Sequence, residues 1–178
     1  MVRRGAPRAA GVQGRNLAAE ADVGLIRTVL VLGGVPWADL EDGVQQVRLK
    51  LLESGARSAS GAIRSPEAWV SVVASRVALD WHRDRSKDTG LTERLTRRWE
   101  QRPPVGHPED DRLLALAVAA GLDELTAQQR QVLTLRYYAD LTVRDIAAEV
   151  GIPEGTVKSR LHHALAALED RLRDREVI

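Results

Sequence analysis

Residues 141–161 read LTVRDIAAEVGIPEGTVKSRL, and this stretch decides the fold. Thr142 followed three residues later by Asp145 is a helix start signal, because the hydroxyl accepts a backbone N–H that the first turn leaves unpaired. Val143, Ile146, Ala147 and Val150 recur at helical spacing. Gly151 stands where a helix ends in the left-handed conformation that glycine adopts without steric cost. Pro153, with φ already near the helical value, opens a second helix whose inward stripe is Val157, Leu161, Ala164, Leu165 and Leu168. Two short amphipathic helices meet at a tight turn, and small Ala147 lets them cross closely. This is helix-turn-helix spacing over residues 141–163.

At about 100° per residue, the inward stripe leaves Gly155, Ser159, His162 and His163 outward, with Thr156, Lys158 and Arg160 on the flanks. Hydroxyl, imidazole and cationic groups on a second helix suit base edges and phosphates in a major groove. A solvated helix face is the plainer alternative. His162 and His163 point about 100° apart and do not share one ion comfortably. With no cysteine and no acid at ligand spacing, no metal site is expected. His82 and His107 read as surface residues.

Working outward, Thr126-Ala-Gln-Gln129 is a capping box opening a helix with Val132, Leu133 and Leu135. Leu113, Leu114, Leu116, Ala117 and Ala120 mark a helix expected to stop at Gly121. Residues 89–108 read as a flexible linker, punctuated by Pro103, Pro104, Gly106 and Pro108. Before it, Leu17 to Leu32 is a helical candidate broken by Gly33, Gly34 and Pro36. A second helix runs from near Asp39 to about Glu53 on Leu40, Val44, Val47 and Leu51. Ser65 caps a third that starts at Pro66 and buries Trp69, Val72, Val73, Val77 and Leu79 to Trp81. It ends in the charged run Arg83 to Asp88. Trp69 and Trp81 read as core residues in preference to base stackers. Residues 1–16 read as a basic, flexible tail. The result is an all-α chain of two small helical domains, 17–88 and 109–175, expected to fold independently about the linker.

Bulk properties agree. Hydrophobic residues make up 44% and charged residues 29% of the 178, a globular balance. Net charge is only +1, so distribution matters more than total. Residues 76–98 carry seven Lys or Arg against four acids, whereas residues 109–124 carry five acids against Arg112. The absence of cysteine excludes disulfides and thiol catalysis and fits a reducing cytoplasm. No apolar run approaches the roughly 20 residues of a membrane helix, so no membrane insertion is expected. No Ser-His-Asp order, paired acids or glycine-rich phosphate loop suggests an enzyme, and no cofactor is implied.

The run Leu122-Asp-Glu-Leu-Thr-Ala-Gln-Gln-Arg-Gln-Val-Leu133 and the run from Ile152 to Leu161 resemble the fourth conserved region of sigma factors. Glu154-Gly-Thr-Val-Lys-Ser-Arg160 is the most specific part. Asp39-Leu-Glu-Asp-Gly-Val-Gln-Gln-Val47 resembles the second-region helix that grips the polymerase clamp. Ala68-Trp-Val through Asp80-Trp-His-Arg83 resembles the helix that meets melted promoter DNA. The likeness covers roughly residues 17 to 175 in the right order and lacks a third domain, as in the extracytoplasmic-function class. That class usually has Asn where Arg76 stands, and Val70, Ser71 and Val72 replace aromatics common in this helix.

The resemblance implies an alternative sigma factor, with core RNA polymerase and promoter DNA as partners and no catalysis of its own. Asp42, Gln45, Gln46 and Arg48 would face the clamp of the largest catalytic subunit. Arg76, Asp80, Arg83, Arg85 and Lys87 would lie near the minus-ten element. Glu154, Gly155, Thr156, Lys158, Ser159, Arg160, His162 and His163 would read the minus-thirty-five element. The flap of the second-largest subunit and an anti-sigma factor are further implied partners. Two other readings are a sigma mimic that sequesters an anti-sigma factor and a one-domain helix-turn-helix regulator. Intact Lys158, Ser159 and Arg160 speak against the mimic.

Overall fold

The computed structural model describes residues 22–54, 65–84 and 109–174, all in helices and short connections. The first helix, α1, is Val23–Leu32, and a 3-10 turn, Trp37–Asp39, leads into α2, Leu40–Ser54. Then come α3, Pro66–Asp84, and α4, Glu109–Glu124. The helices α5, Ala127–Tyr137, α6, Val143–Val150, and α7, Glu154–Asp174, complete the described chain. Residues 17–21 of the expected first helix, the loop 55–64 and the expected linker 89–108 lie outside the described residues.

Helix ends follow the local chemistry. Asp22 accepts the N–H of Gly24 at the start of α1. Gly34, in the left-handed region at φ 92°, turns the chain after α1 in a conformation that a side chain would strain. The Ser65 hydroxyl accepts the N–H of Ala68 at 3.3 Å, and Pro66 fills the first helical position, where a missing N–H costs nothing. Both halves of the Thr126–Gln129 capping box are formed. By contrast, α4 continues through Gly121 to Glu124. Gly121 is buried there, so packing overrides its weak helix propensity.

Three apolar clusters hold the helices. Ile26, Val29 and Leu30 of α1 meet Val44, Val47 and Leu51 of α2 and Val70, Val73, Ala74 and Val77 of α3. Ala119, Leu122, Leu125 and Ala164 join α4 to α7. In the third cluster Val132, Leu135, Ile146, Val157 and Leu161 fill the helix-turn-helix, and Ala68 and Val72 of α3 enter it as well. Trp69 packs against both the first cluster and this one, so it serves the core. The two halves therefore share buried surface: α3 enters the helix-turn-helix cluster, and Val31 and Leu32 of α1 pack against the cluster that joins α4 to α7.

Candidate nucleic-acid interface

Between α6 and α7 the turn is built as its residues require. The Thr142 hydroxyl accepts the N–H of Asp145 at 3.1 Å. Gly151 takes φ 74° and its N–H donates to Ala147 O, which satisfies a carbonyl orphaned at the helix end. Pro153 O accepts from the N–H groups of Thr156 and Val157, starting α7. Val157, Leu161 and Ala164 are buried, which fixes the roll of α7 about its axis. Gly155, Lys158, Ser159, His162 and His163 then stand exposed, Glu154 with them, and Thr156 and Arg160 are half-buried on the flanks. The rings of His162 and His163 splay, with centroids 5.7 Å apart and planes tilted by 57°. Leu165, expected inward, is exposed. It sits about 80° around the helix from Val157, at the edge of the stripe.

On α3 the expected residues are less free. Arg76 lies 5.6 Å over the Trp69 ring. Its Nη2 donates to the backbone oxygen of Glu149 and to Glu149 Oε2 at 3.1 Å. Asp80 accepts from Lys50 Nζ at 2.8 Å and has Arg83 Nη1 at 3.8 Å, so in this form it belongs to a charge cluster on α2 and α3. Arg83 is exposed. Arg85 and Lys87 lie outside the described residues. His82 is half-buried, with Nε2 2.7 Å from Gly33 O and Arg130 Nη2 3.2 Å from the same nitrogen. It is a packing residue, contrary to the surface position expected of it. At the start of α3, the Ser65 hydroxyl and the backbone N–H of Glu67 hold the Glu67 carboxyl below its ordinary pKa.

On α2, Asp42, Gln45 and Gln46 form an exposed strip. Arg48 sits off it, half-buried, with Nε enclosed and unpartnered among the described residues. Leu49 and Leu52 take its place, 56% and 45% exposed. Neither fits the inward set of Val44, Val47 and Leu51, and that mismatch is the signal by which sequence reading finds them. Tyr137 and Tyr138, at the end of α5, are likewise exposed. Among the described residues, no helix is long and apolar enough to cross a membrane.

Residues 115–168 match the family model for region 4 of the sigma-70 factors. Over 139 residues the chain is 34% identical to the ECF RNA polymerase sigma factor SigL of Mycobacterium tuberculosis, covering 77% of this chain and 76% of that one. It is 33% identical over 132 residues to ECF RNA polymerase sigma factor SigK of Mycolicibacterium vanbaalenii, covering 72% and 66%. With the RNA polymerase sigma-E factor of Streptomyces avermitilis it shares 32% over 114 residues, covering 64% and 61%. The helix-turn-helix is thus a sigma region 4, and the chain as a whole belongs to the extracytoplasmic-function sigma factors.

Proposed function

We propose that this chain is a promoter-specificity subunit that binds core RNA polymerase in the cytoplasm, reads two promoter elements and promotes initiation. The observation that carries the reading is the outer face of α7. Its buried stripe of Val157, Leu161 and Ala164 turns Lys158, Ser159, His162 and His163 outward together, on a helix that follows a tight turn. Such a helix lies in the major groove with base-edge donors and acceptors on one side and cations toward phosphates on the flanks. At the start of α7, a Cβ added to Gly155 meets nothing within 4 Å. That open space leaves room for a phosphate to approach the start of the helix, ahead of the Thr156 and Val157 N–H groups that already donate to Pro153 O.

The domain division follows the same reading. Residues 17–88 take the role of region 2 and residues 109–175 that of region 4. Asp42, Gln45 and Gln46, with Leu49 and Leu52, form the face for the polymerase clamp, since exposed apolar side chains beside polar ones suit a protein contact. Arg48 is the weakest member of the expected set because its side chain turns partly inward. Arg76, Arg83, Arg85 and Lys87 supply cations for the minus-ten strand. Capture of an unstacked base by stacking and charge would draw the melted state out of the duplex. Exposed Tyr137, Tyr138 and Leu165 suit the flap of the second-largest subunit. An anti-sigma factor would compete for these same polymerase-facing surfaces.

Run-off transcription with purified core polymerase tests the reading. Transcripts that start at a fixed distance from one pair of promoter elements, and only when this chain is added, are expected. Binding to duplex DNA with no stimulation of core polymerase would instead support a helix-turn-helix regulator. Neither binding to core nor transcription, with capture of an anti-sigma factor, would support a mimic.

A further inference from the structure

The midline of the outer face of α7 carries two imidazoles side by side. At about 100° per residue, His162 and His163 lie about 50° on either side of the direction opposite the buried stripe, with Ser159 between them. That stripe is Val157, Leu161 and Ala164, and both histidines are exposed. Their rings splay, with centroids 5.7 Å apart and planes tilted by 57°, so they reach two different groups and not one.

Nothing described in the chain supplies an anion to either ring. Lys158 stands one turn before His162, and Arg160 one turn before His163. The acids of α7, Glu154, Glu169 and Asp170, are at least about 9 Å away along the axis, and Glu169 is paired with Arg173. The helices α4, α5 and α6 pack against the buried side of α7. On α4 the described charged groups are Asp123, 3.9 Å from Arg130, and Glu124. On α5 they are Arg130 and Arg136, the latter turned to Asp140, with Tyr137 beside it. On α6, Asp145 is held by Thr142 and Glu149 by Arg76, and Arg144 is exposed. Among the described residues, neither histidine has an ion pair or a hydrogen bond. The anion that compensates a proton on either ring must therefore come from outside the chain.

We propose that binding of duplex DNA by α7 is proton-coupled: His162 and His163 take up protons from solvent as the helix enters the groove. The proposal rests on the reading of α7 as a DNA-binding face. Histidine is the side chain whose charge changes within about pH 5 to 8. A neutral imidazole carries one N–H donor and one acceptor, whereas the protonated ring carries two donors. Phosphate oxygens and the N7 and O6 atoms of guanine only accept, so they match the protonated ring. Duplex DNA presents one negative charge per about 1.7 Å of its axis, the anion that the chain itself does not provide. The charged form is the tighter binder, so affinity is greatest at the acid end of this range and is lost as pH rises. Lysine and arginine stay charged across the range, so Lys158 and Arg160 give a background that does not change with pH. The reading face thereby couples promoter occupancy to the proton concentration around it.

Fluorescence anisotropy of the full chain on a labelled duplex, measured across pH and salt, tests this. From about pH 8 to about pH 5.5, affinity should rise on the order of tenfold or more. Over the same range the dependence of log affinity on log salt should steepen by up to about two, one for each ring that faces a phosphate. His162→Gln with His163→Gln should abolish both changes and leave affinity at its alkaline value. His162→Arg with His163→Arg should give the steep salt dependence at every pH. Both positions are exposed, and circular dichroism at each pH verifies that the helices persist. An affinity that stays flat across the range overturns the proposal, as does a rise retained by the double Gln variant, or no duplex binding at any pH. Run-off transcription with core polymerase separates this from the sigma reading. A pH response without transcripts rejects the sigma reading and leaves the coupling standing, whereas transcripts from a chain with flat duplex affinity reject the coupling alone.

Discussion

Two helices of this protein carry the cations proposed to meet DNA, and the structure treats them oppositely. α7 turns Lys158, Ser159, His162 and His163 to solvent, all exposed. α3 turns Arg76 to Glu149 and buries the adjoining stripe against α5 and α6. The face proposed to read the upstream element is therefore exposed, while Arg76 of the face proposed for the downstream element is held by Glu149. The difference arises from the number of buried faces. α7 has one inward stripe and leaves its remaining surface free, whereas α3 packs on both sides, as a helix with apolar residues on opposite faces does.

The largest effect should come from the cluster that ties the two together. Ile146 is fully buried among α3, α5 and α7 residues, and Ile146→Ala should destabilise the protein by about 2–5 kcal/mol through lost burial and a residual cavity. Urea denaturation followed by circular dichroism measures it. Because Val72 of α3 lines the same cluster, amide exchange in α3 should quicken in this variant together with that in α5 and α6. A full loss of stability with exchange in α3 unchanged would show that the packing of α3 does not depend on this cluster.

The exposed strip on α2 comes next. Asp42→Lys on α2 should weaken binding to core polymerase, by up to about 2 kcal/mol if Asp42 sits at the centre of the contact, without change in helicity. Unchanged affinity in Asp42→Lys and Gln45→Ala together would remove this strip as the docking surface. Gly151→Ala should be milder. A Cβ at Gly151 meets nothing within 4 Å, so only the left-handed backbone at φ 74° opposes it, at about 1–2 kcal/mol. A denaturation midpoint checks it.

The smallest effect sharpens the comparison most. On non-specific duplex DNA the free chain should bind with an affinity that falls with salt, and Lys158→Ala should reduce that slope by about one. Arg76→Ala should leave the slope unchanged, because Glu149 already holds the guanidinium. Equal loss of slope in both variants would mean that α3 is as open to DNA as α7.

What was legible in the sequence was local. The Thr126–Gln129 box, the Thr142 cap and the left-handed Gly151 are decided within a few residues, and each is found where the spacing predicts. The roll of α7 follows from Val157, Leu161 and Ala164 alone. What was not legible depends on partners far along the chain. Periodicity identified one buried face of α3 and could not show that Val72 and Ala68 serve another, because the residues covering them lie about sixty to eighty positions away. Arg76 and Glu149 are separated by 73 positions, and nothing in either neighbourhood pairs them. Gly121 failed as a stop for the same reason, since its packing, and not its propensity, sets the helix end. Leu49 and Leu52 were visible as apolar residues outside the stripe, and their exposure is what gives them meaning.

The most direct test is transcription from a promoter library randomised in the upstream element, comparing the wild-type chain with Ser159→Ala and His162→Ala. Each substitution should cost on the order of 1–3 kcal/mol on the preferred promoter and relax preference at one position, while Lys158→Ala lowers output on all sequences alike. Wild-type sequence preference retained in both Ser159→Ala and His162→Ala would contradict the assignment of the outer face of α7 as the reader of the upstream element.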